Sequence, residues 1–219
     1  MLMACCSRYC AAEAYFGKEV AEEDLKRYRR QGADAVTKIL LAELRRRTLQ
    51  DKRLLDVGCG IGVVSAELAG DGIASATVVE ASPVYIEVAR QELAPRYGPR
   101  PTQFVLGDFV LLADTLAGAD VVILDRVVCC YPDAKALLRA AALKTREVLA
   151  FTYPHDRWYM HGAIAGENLL RRLKGSPFKV FVHPSEDMAA TLENSGLVRT
   201  ARRKTLAWVI DLYGRSEPT

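Results

Sequence analysis

Short apolar runs bounded by turn residues alternate with stretches whose apolar positions recur every three to four residues. The first such stretch is charged and helical over 21–31; Gly32 interrupts it, and Val36, Ile39, Leu40 and Leu44 then fall on one helix face. Leu54–Val57, Ala76–Val79, Gln103–Leu106, Ala119–Leu124 and Glu147–Phe151 are compact apolar runs of the kind a buried parallel strand needs. Between them the spacing predicts a helix from Val63 to Ala69 ended by Gly70. A second is capped by Ser82-Pro83 and stopped by Pro95, and a third is capped by Asp133 and runs to about Lys144. The final stretch differs: a helix capped by Ser185 ends at Gly196, and Leu197–Lys204 and Thr205–Tyr213 follow with almost no room between them, which predicts an antiparallel hairpin. The pattern is that of an α/β fold with a mostly parallel sheet ending in one reversed strand.

The first strand runs into Asp56-Val57-Gly58-Cys59-Gly60-Ile61-Gly62, in which three glycines are spaced two apart. Glycine accepts positive φ and presents no Cβ, so a ligand can lie on the main chain and on the first amides of the following helix. The dinucleotide fingerprint G-x-G-x-x-G would require glycine at position 63, where this chain has Val63. Glu80 closes the second strand, where a carboxylate can accept both hydroxyls of a ribose. Gly107-Asp108-Phe109 follows the third, and Asp125-Arg126 ends the fourth.

In this order and spacing the four segments resemble the motifs of class I S-adenosylmethionine-dependent methyltransferases. The resemblance implies a Rossmann-like fold and S-adenosylmethionine as cofactor, with S-adenosylhomocysteine as product. It places Asp56, Gly58, Cys59, Gly60 and Gly62 around the cofactor and Glu80, with Ala81 beside it, at the ribose. Asp108 falls at the adenine amino group with Phe109 against the ring, and Asp125 and Arg126 beneath the methionine moiety. A narrower likeness links Asp125–Pro132 and Tyr15-Phe16 to magnesium-protoporphyrin methyltransferases; Cys130 stands where that group usually has histidine, so the tetrapyrrole substrate does not carry over.

Composition changes the picture only modestly. With 219 residues, 50% of them apolar and 26% charged, the chain can bury the core of one domain. The expected divisions are a helical preface over 1–50, a cofactor-binding core over 51–151, a substrate cap over 152–182, and the last helix and hairpin over 183–219. A net charge of +3 with dispersed basic residues disfavours a nucleic-acid partner. No run approaches the roughly 18 apolar residues of a membrane span, which points to a cytoplasmic protein whose cysteines stay reduced. Cys5, Cys6 and Cys10 lack metal-ligand spacing, and no metal site is expected.

The cap segment carries the candidate acceptor chemistry. Tyr153, Trp158 and Tyr159, with Cys130, are expected to wall a flat or largely apolar small molecule. His155, then His161 and Tyr131, are the candidates for removing a proton from a hydroxyl or ring nitrogen. His183, before Pro184, reads as structural, and Arg29 and Arg30 as candidate cations for the cofactor's carboxylate. Transfer of a methyl group to oxygen or nitrogen is the leading expectation. Thiol or metalloid methylation using Cys129 and Cys130, and cofactor binding without catalysis, are the alternatives.

Overall fold

The computed structural model describes residues 17–215. Tyr15, Phe16 and the cysteines at 5, 6 and 10 lie outside the described residues.

Two helices lead in, α1 (Lys18–Gln31) and α2 (Ala35–Leu44). Asp34 caps α2 by accepting from the amides of Val36 and Thr37. Strand β1 (Arg53–Val57) is followed by α3 (Val63–Leu68), β2 (Ser75–Glu80), α4 (Pro83–Tyr97), β3 (Thr102–Leu106) and the single turn α5 (Phe109–Leu112). Then come β4 (Ala119–Leu124), a short 3₁₀ turn at Val128–Cys130, α6 (Ala134–Lys144), β5 (Thr145–Pro154), α7 (Trp158–Leu173), α8 (Ser185–Glu193), β6 (Leu197–Lys204) and β7 (Trp208–Arg215).

One seven-stranded sheet has the order β3-β2-β1-β4-β5-β7-β6. Its first five strands are parallel, and β7 enters antiparallel between β5 and β6. This is the Rossmann-like methyltransferase arrangement. Alternation along the central strands sends Leu54, Val121, Ile123 and Ala150 to a core shared with α1 to α4, and Leu55, Val122, Leu124 and Phe151 to a second core under α6 and α8. Helix α7 has one buried residue, Ile164, and makes only sparse contacts with the rest of the fold.

Three local expectations are corrected. Pro95 does not stop α4, which continues to Tyr97. Pro95 and Gln91, whose carbonyl it leaves without a helical donor, are exposed to water, whereas buried Tyr97 is anchored by donating its hydroxyl to the Ser65 carbonyl. Ser185 is the first residue of α8 and not its cap: the carbonyl of Pro184 accepts from Met188 N, and no side chain caps the helix. Strand β5 runs to Pro154, not Phe151. Its pairing with β4 ends at Phe151, but its antiparallel pairing with β7 continues to Trp208. Thr152, Tyr153 and Pro154 are therefore sheet, and the segment expected to form the cap begins after them.

The extension buries Tyr153. Its ring stacks on Phe151, and its hydroxyl donates to Asp211 at 2.9 Å. Asp211, 1% exposed, also accepts from Arg202 Nε and Nη2 at 2.7 and 2.6 Å. A buried carboxylate is tolerable only with such partners. Arg202→Met is therefore expected to destabilise the protein by about 3 kcal/mol, the low end for a broken buried pair because Arg202 is partly exposed. Urea unfolding measures this, and an unchanged midpoint would refute the assigned role of the pair.

Candidate active site

The parallel strands end on one edge, and between β1 and β4, where the strand order reverses, a crevice opens. A cavity of about 1230 Å³ occupies it, larger than the ~300–1,000 Å³ of a typical small-molecule site. Asp56 to Ile61, Glu80 with Ala81, Gly107 to Phe109, Asp125 to Val127 and Cys129 to Tyr131 line one side. Residues of α1 and α2 form the roof, and α7 with Phe178, Val180, Pro154 and Trp208 closes the far wall.

The glycine turn has the conformation that its sequence demands. Gly58 and Gly60 have φ of 63° and 56°, and a Cβ on Gly58 would lie 2.5 Å from a Val127 methyl. Gly62 departs from expectation. It does not line the cavity but sits in the left-handed region at the start of α3, where a Cβ would meet Leu93 of α4 at 3.2 Å. Its small size serves the packing of two helices.

Glu80 holds the turn in place. Its Oε2 accepts from Gly60 N at 2.9 Å, and its Oε1 accepts from Ala81 N and Ser82 N at 2.7 and 2.9 Å. Burial pushes its pKa up, and these amides partly offset the shift. Asp125 is similarly raised by burial and opposed by hydroxyls, accepting from Thr37 of α2 at 2.6 Å and Thr152 of β5 at 2.7 Å. Asp56, fully buried, is pushed up to about 7, chiefly by burial, against the hydrogen bond it accepts from Ser65 at 2.7 Å. Arg126, at φ 59°, pairs with Asp34 and lies 5.3 Å from the Trp208 ring centre. Asp108 accepts from Val110 N at 2.9 Å and from the Tyr131 hydroxyl on both oxygens at 3.2 and 3.1 Å.

Several expected acceptor residues are placed elsewhere. Tyr153 belongs to the second core. His155 is buried, with Nε2 on the Thr205 carbonyl at 3.0 Å, and His161 pairs with Asp156 at 2.8 Å; neither lines the cavity. Trp158 is 85% exposed, and Tyr159 donates its hydroxyl to the Leu206 carbonyl. The segment does wall the cavity, but through Met160, Ile164, Glu167 and Arg171, on the opposite face of α7. Their i, i+4, i+7, i+11 spacing is visible in the sequence; which face turns inward is not. Arg29 pairs with Glu92, and neither it nor Arg30 lines the cavity, whereas Arg27 and Lys38 do. His183 binds the Tyr131 carbonyl at 3.0 Å, a structural contact.

Residues 54–147 match the family model described as a methyltransferase domain. The segment is a methyltransferase domain. The whole described fold extends the likeness. Magnesium protoporphyrin IX methyltransferase from Synechocystis PCC 6803, crystallised with S-adenosylhomocysteine, is 20% identical over 95% of this chain and 100% of its own, with a TM-score of 0.71. An O-methyltransferase family protein from Burkholderia thailandensis is 17% identical over 93% of this chain and 64% of its own, at 0.66. A TehB-like methyltransferase from Corynebacterium glutamicum is 14% identical over 91% of this chain and 100% of its own, at 0.63. No curated protein sequence matches significantly. The chain thus carries a methyltransferase domain, which makes it an enzyme, and the Synechocystis methyltransferase whose fold it shares was also crystallised with S-adenosylmethionine.

The cavity fits that cofactor: the backbone at Gly60 is open to it, and the carboxylates of Asp56, Glu80 and Asp125 face it from three strand ends. Two outcomes are expected of this methyltransferase. Gly60→Val, which forces a β-branched residue to positive φ on the cavity wall, should abolish S-adenosylmethionine binding in calorimetric titration of a still-folded variant. Asp56→Asn should raise thermal stability increasingly as pH climbs from 4 to 8. The folded pKa of about 7 lies above the ordinary 3.8, so the native state prefers the protonated acid and loses stability as pH rises between those values. A melting-temperature gap between the two proteins that does not widen with pH would contradict the burial of Asp56.

Proposed function

We propose that this methyltransferase acts on an oxygen or nitrogen of a flat or largely apolar small molecule. The observation that carries the reading is the far wall of the cavity, where Met160, Ile164, Phe178, Val180 and Trp208, with the paired Glu167 and Arg171 as polar groups, face the carboxylate-lined glycine turn across a space large enough for two ligands. When bound, the cofactor supplies a methyl group on a cationic sulfonium. The chain's task is then to orient the acceptor's lone pair, a contribution worth roughly 7 to 11 kcal/mol in favourable cases.

Glu80 is proposed to hold the ribose hydroxyls with the lone pairs its amide partners leave, and Asp108 the adenine amino group. Tyr131, donating to both Asp108 oxygens, orients that carboxylate and borders the acceptor space beside Cys130. Of the three expected proton acceptors it alone lines the cavity. A carboxylate acceptor would need none. Methylation involving the thiols has less support. Cys129 and Cys130 do line the cavity with sulfurs 3.7 Å apart, but the neighbouring thiol and burial raise the Cys129 pKa and keep it protonated, a poor nucleophile. The free thiols and the lack of any helix able to cross a membrane among the described residues are compatible with a cytoplasmic setting.

Glu80→Gln and Asp108→Asn are each expected to weaken S-adenosylmethionine binding about ten- to a hundredfold, the loss of a charge-assisted hydrogen bond of about 1.5 to 3 kcal/mol. Normal affinity in both would overturn the cofactor placement. For the acceptor side, Ile164→Asp should abolish turnover on apolar acceptors found by screening while S-adenosylhomocysteine affinity stays within a few-fold. Loss of both ligands together would show that the wall belongs to the cofactor's end of the cavity.

A further inference from the structure

Helix α7 carries apolar residues on two sides, and only one side turns toward the protein. Met160 and Ile164 look into the cavity. On the opposite side Trp158, Gly162, Ala165, Leu169 and Leu173 follow one another at spacings of three to four residues, and every one is exposed. Trp158 is 85% exposed, Leu169 58% and Leu173 76%. No charged residue interrupts that face. Leu206, 86% exposed in the β6–β7 turn, is brought beside it by the hydrogen bond from the Tyr159 hydroxyl to its carbonyl. A helix inside a globular fold turns its apolar stripe to the core; a contiguous stripe left in water, with a tryptophan at one end, marks a surface meant to be covered.

We propose that this face docks on an anionic lipid bilayer, the helix lying in the plane of the interface. The charges around the stripe select that partner. Arg157 precedes the helix, Arg172 and Lys174 close it, and Lys204 stands next to the turn that carries Leu206, all four exposed. Glu167, the one acid within the helix, pairs with Arg171, and Asp156 pairs with His161. The rim is therefore basic at both ends. Pairing two copies of the helix, parallel or antiparallel, would bring like charges together, whereas a surface of acidic headgroups satisfies both ends at once. The helix has 16 residues and does not qualify as a span, so it lies on the membrane and does not cross it. Because its other face walls the cavity, docking would place the acceptor space one helix diameter from the bilayer. The docking surface rests on exposure and charge and does not require the acceptor assignment above.

Co-sedimentation of the full chain with vesicles of phosphatidylcholine, and of phosphatidylcholine mixed with phosphatidylserine, tests the proposal. The expected result is binding to the acidic vesicles, at least tenfold weaker binding to the neutral ones, and suppression by salt. The double variants Leu169→Gln/Leu173→Gln and Arg172→Glu/Lys174→Glu should each lose at least tenfold in affinity for acidic vesicles, with melting temperature and S-adenosylhomocysteine affinity unchanged. Absence of vesicle binding, or binding that neither double variant weakens, overturns the proposal. So does a dimer in light scattering that Leu169→Gln/Leu173→Gln converts to a monomer, since the face would then belong to a second copy.

Discussion

The carboxylate of Glu80 ties the site together. It ends β2, accepts from the amide of Gly60 in the turn after β1, and accepts from Ala81 and Ser82 at the head of α4. One buried acid thereby fixes the glycine turn against the neighbouring strand and starts the next helix. A largely desolvated carboxylate needs hydrogen-bond partners, which makes this geometry sharp: the turn cannot shift without taking the Gly60 amide from Oε2. Asp125 acts in the same way on the other side of β1, drawing Thr37 of the helical preface and Thr152 of β5 onto the end of β4.

The price of that arrangement is a set of acids held above their ordinary pKa in the floor of one crevice. Asp56, Glu80 and Asp125 are all raised chiefly by burial. Each costs stability as pH rises through the interval its raised pKa opens, and Asp56, pushed up to about 7, does so until neutrality.

The far wall obeys different physics. Beside Pro154 and Trp208 at the ends of β5 and β7, it is assembled from α7, which contacts the sheet sparsely, and the 178–180 segment, tied to α7 by a reciprocal pair of hydrogen bonds between Asn168 and Val180. Elements held this lightly belong to the low-stability end of a fold, where loops and helices that admit ligands are found. The carboxylate-lined floor and the more loosely packed far wall thus differ in chemistry and in packing.

The sheet, its reversed last strands and the cofactor motifs are legible in the sequence because each depends on neighbours along the chain. A strand followed by positive-φ glycines, an acid at a strand end and a cap before a helix are local statements that hold almost wherever the segment is placed. Pro95 and Ser185 mislead because burial of Tyr97 and the carbonyl of Pro184 outweigh local propensity. The acceptor side is illegible for a deeper reason. Residue type and nearness to the crevice single out Tyr153, His155, Trp158 and Tyr159, but β7 pairs on beyond β4 and buries Tyr153 in the sheet, the β6–β7 turn claims His155 and Tyr159, and α7 turns Trp158 outward. The sequence of α7, free of proline and carrying apolar residues at helical spacing, by itself favours a helix. Only the tertiary structure decided which face meets the cavity, since that rotation is set by contacts with residues far along the chain, such as the Leu206 carbonyl that holds Tyr159.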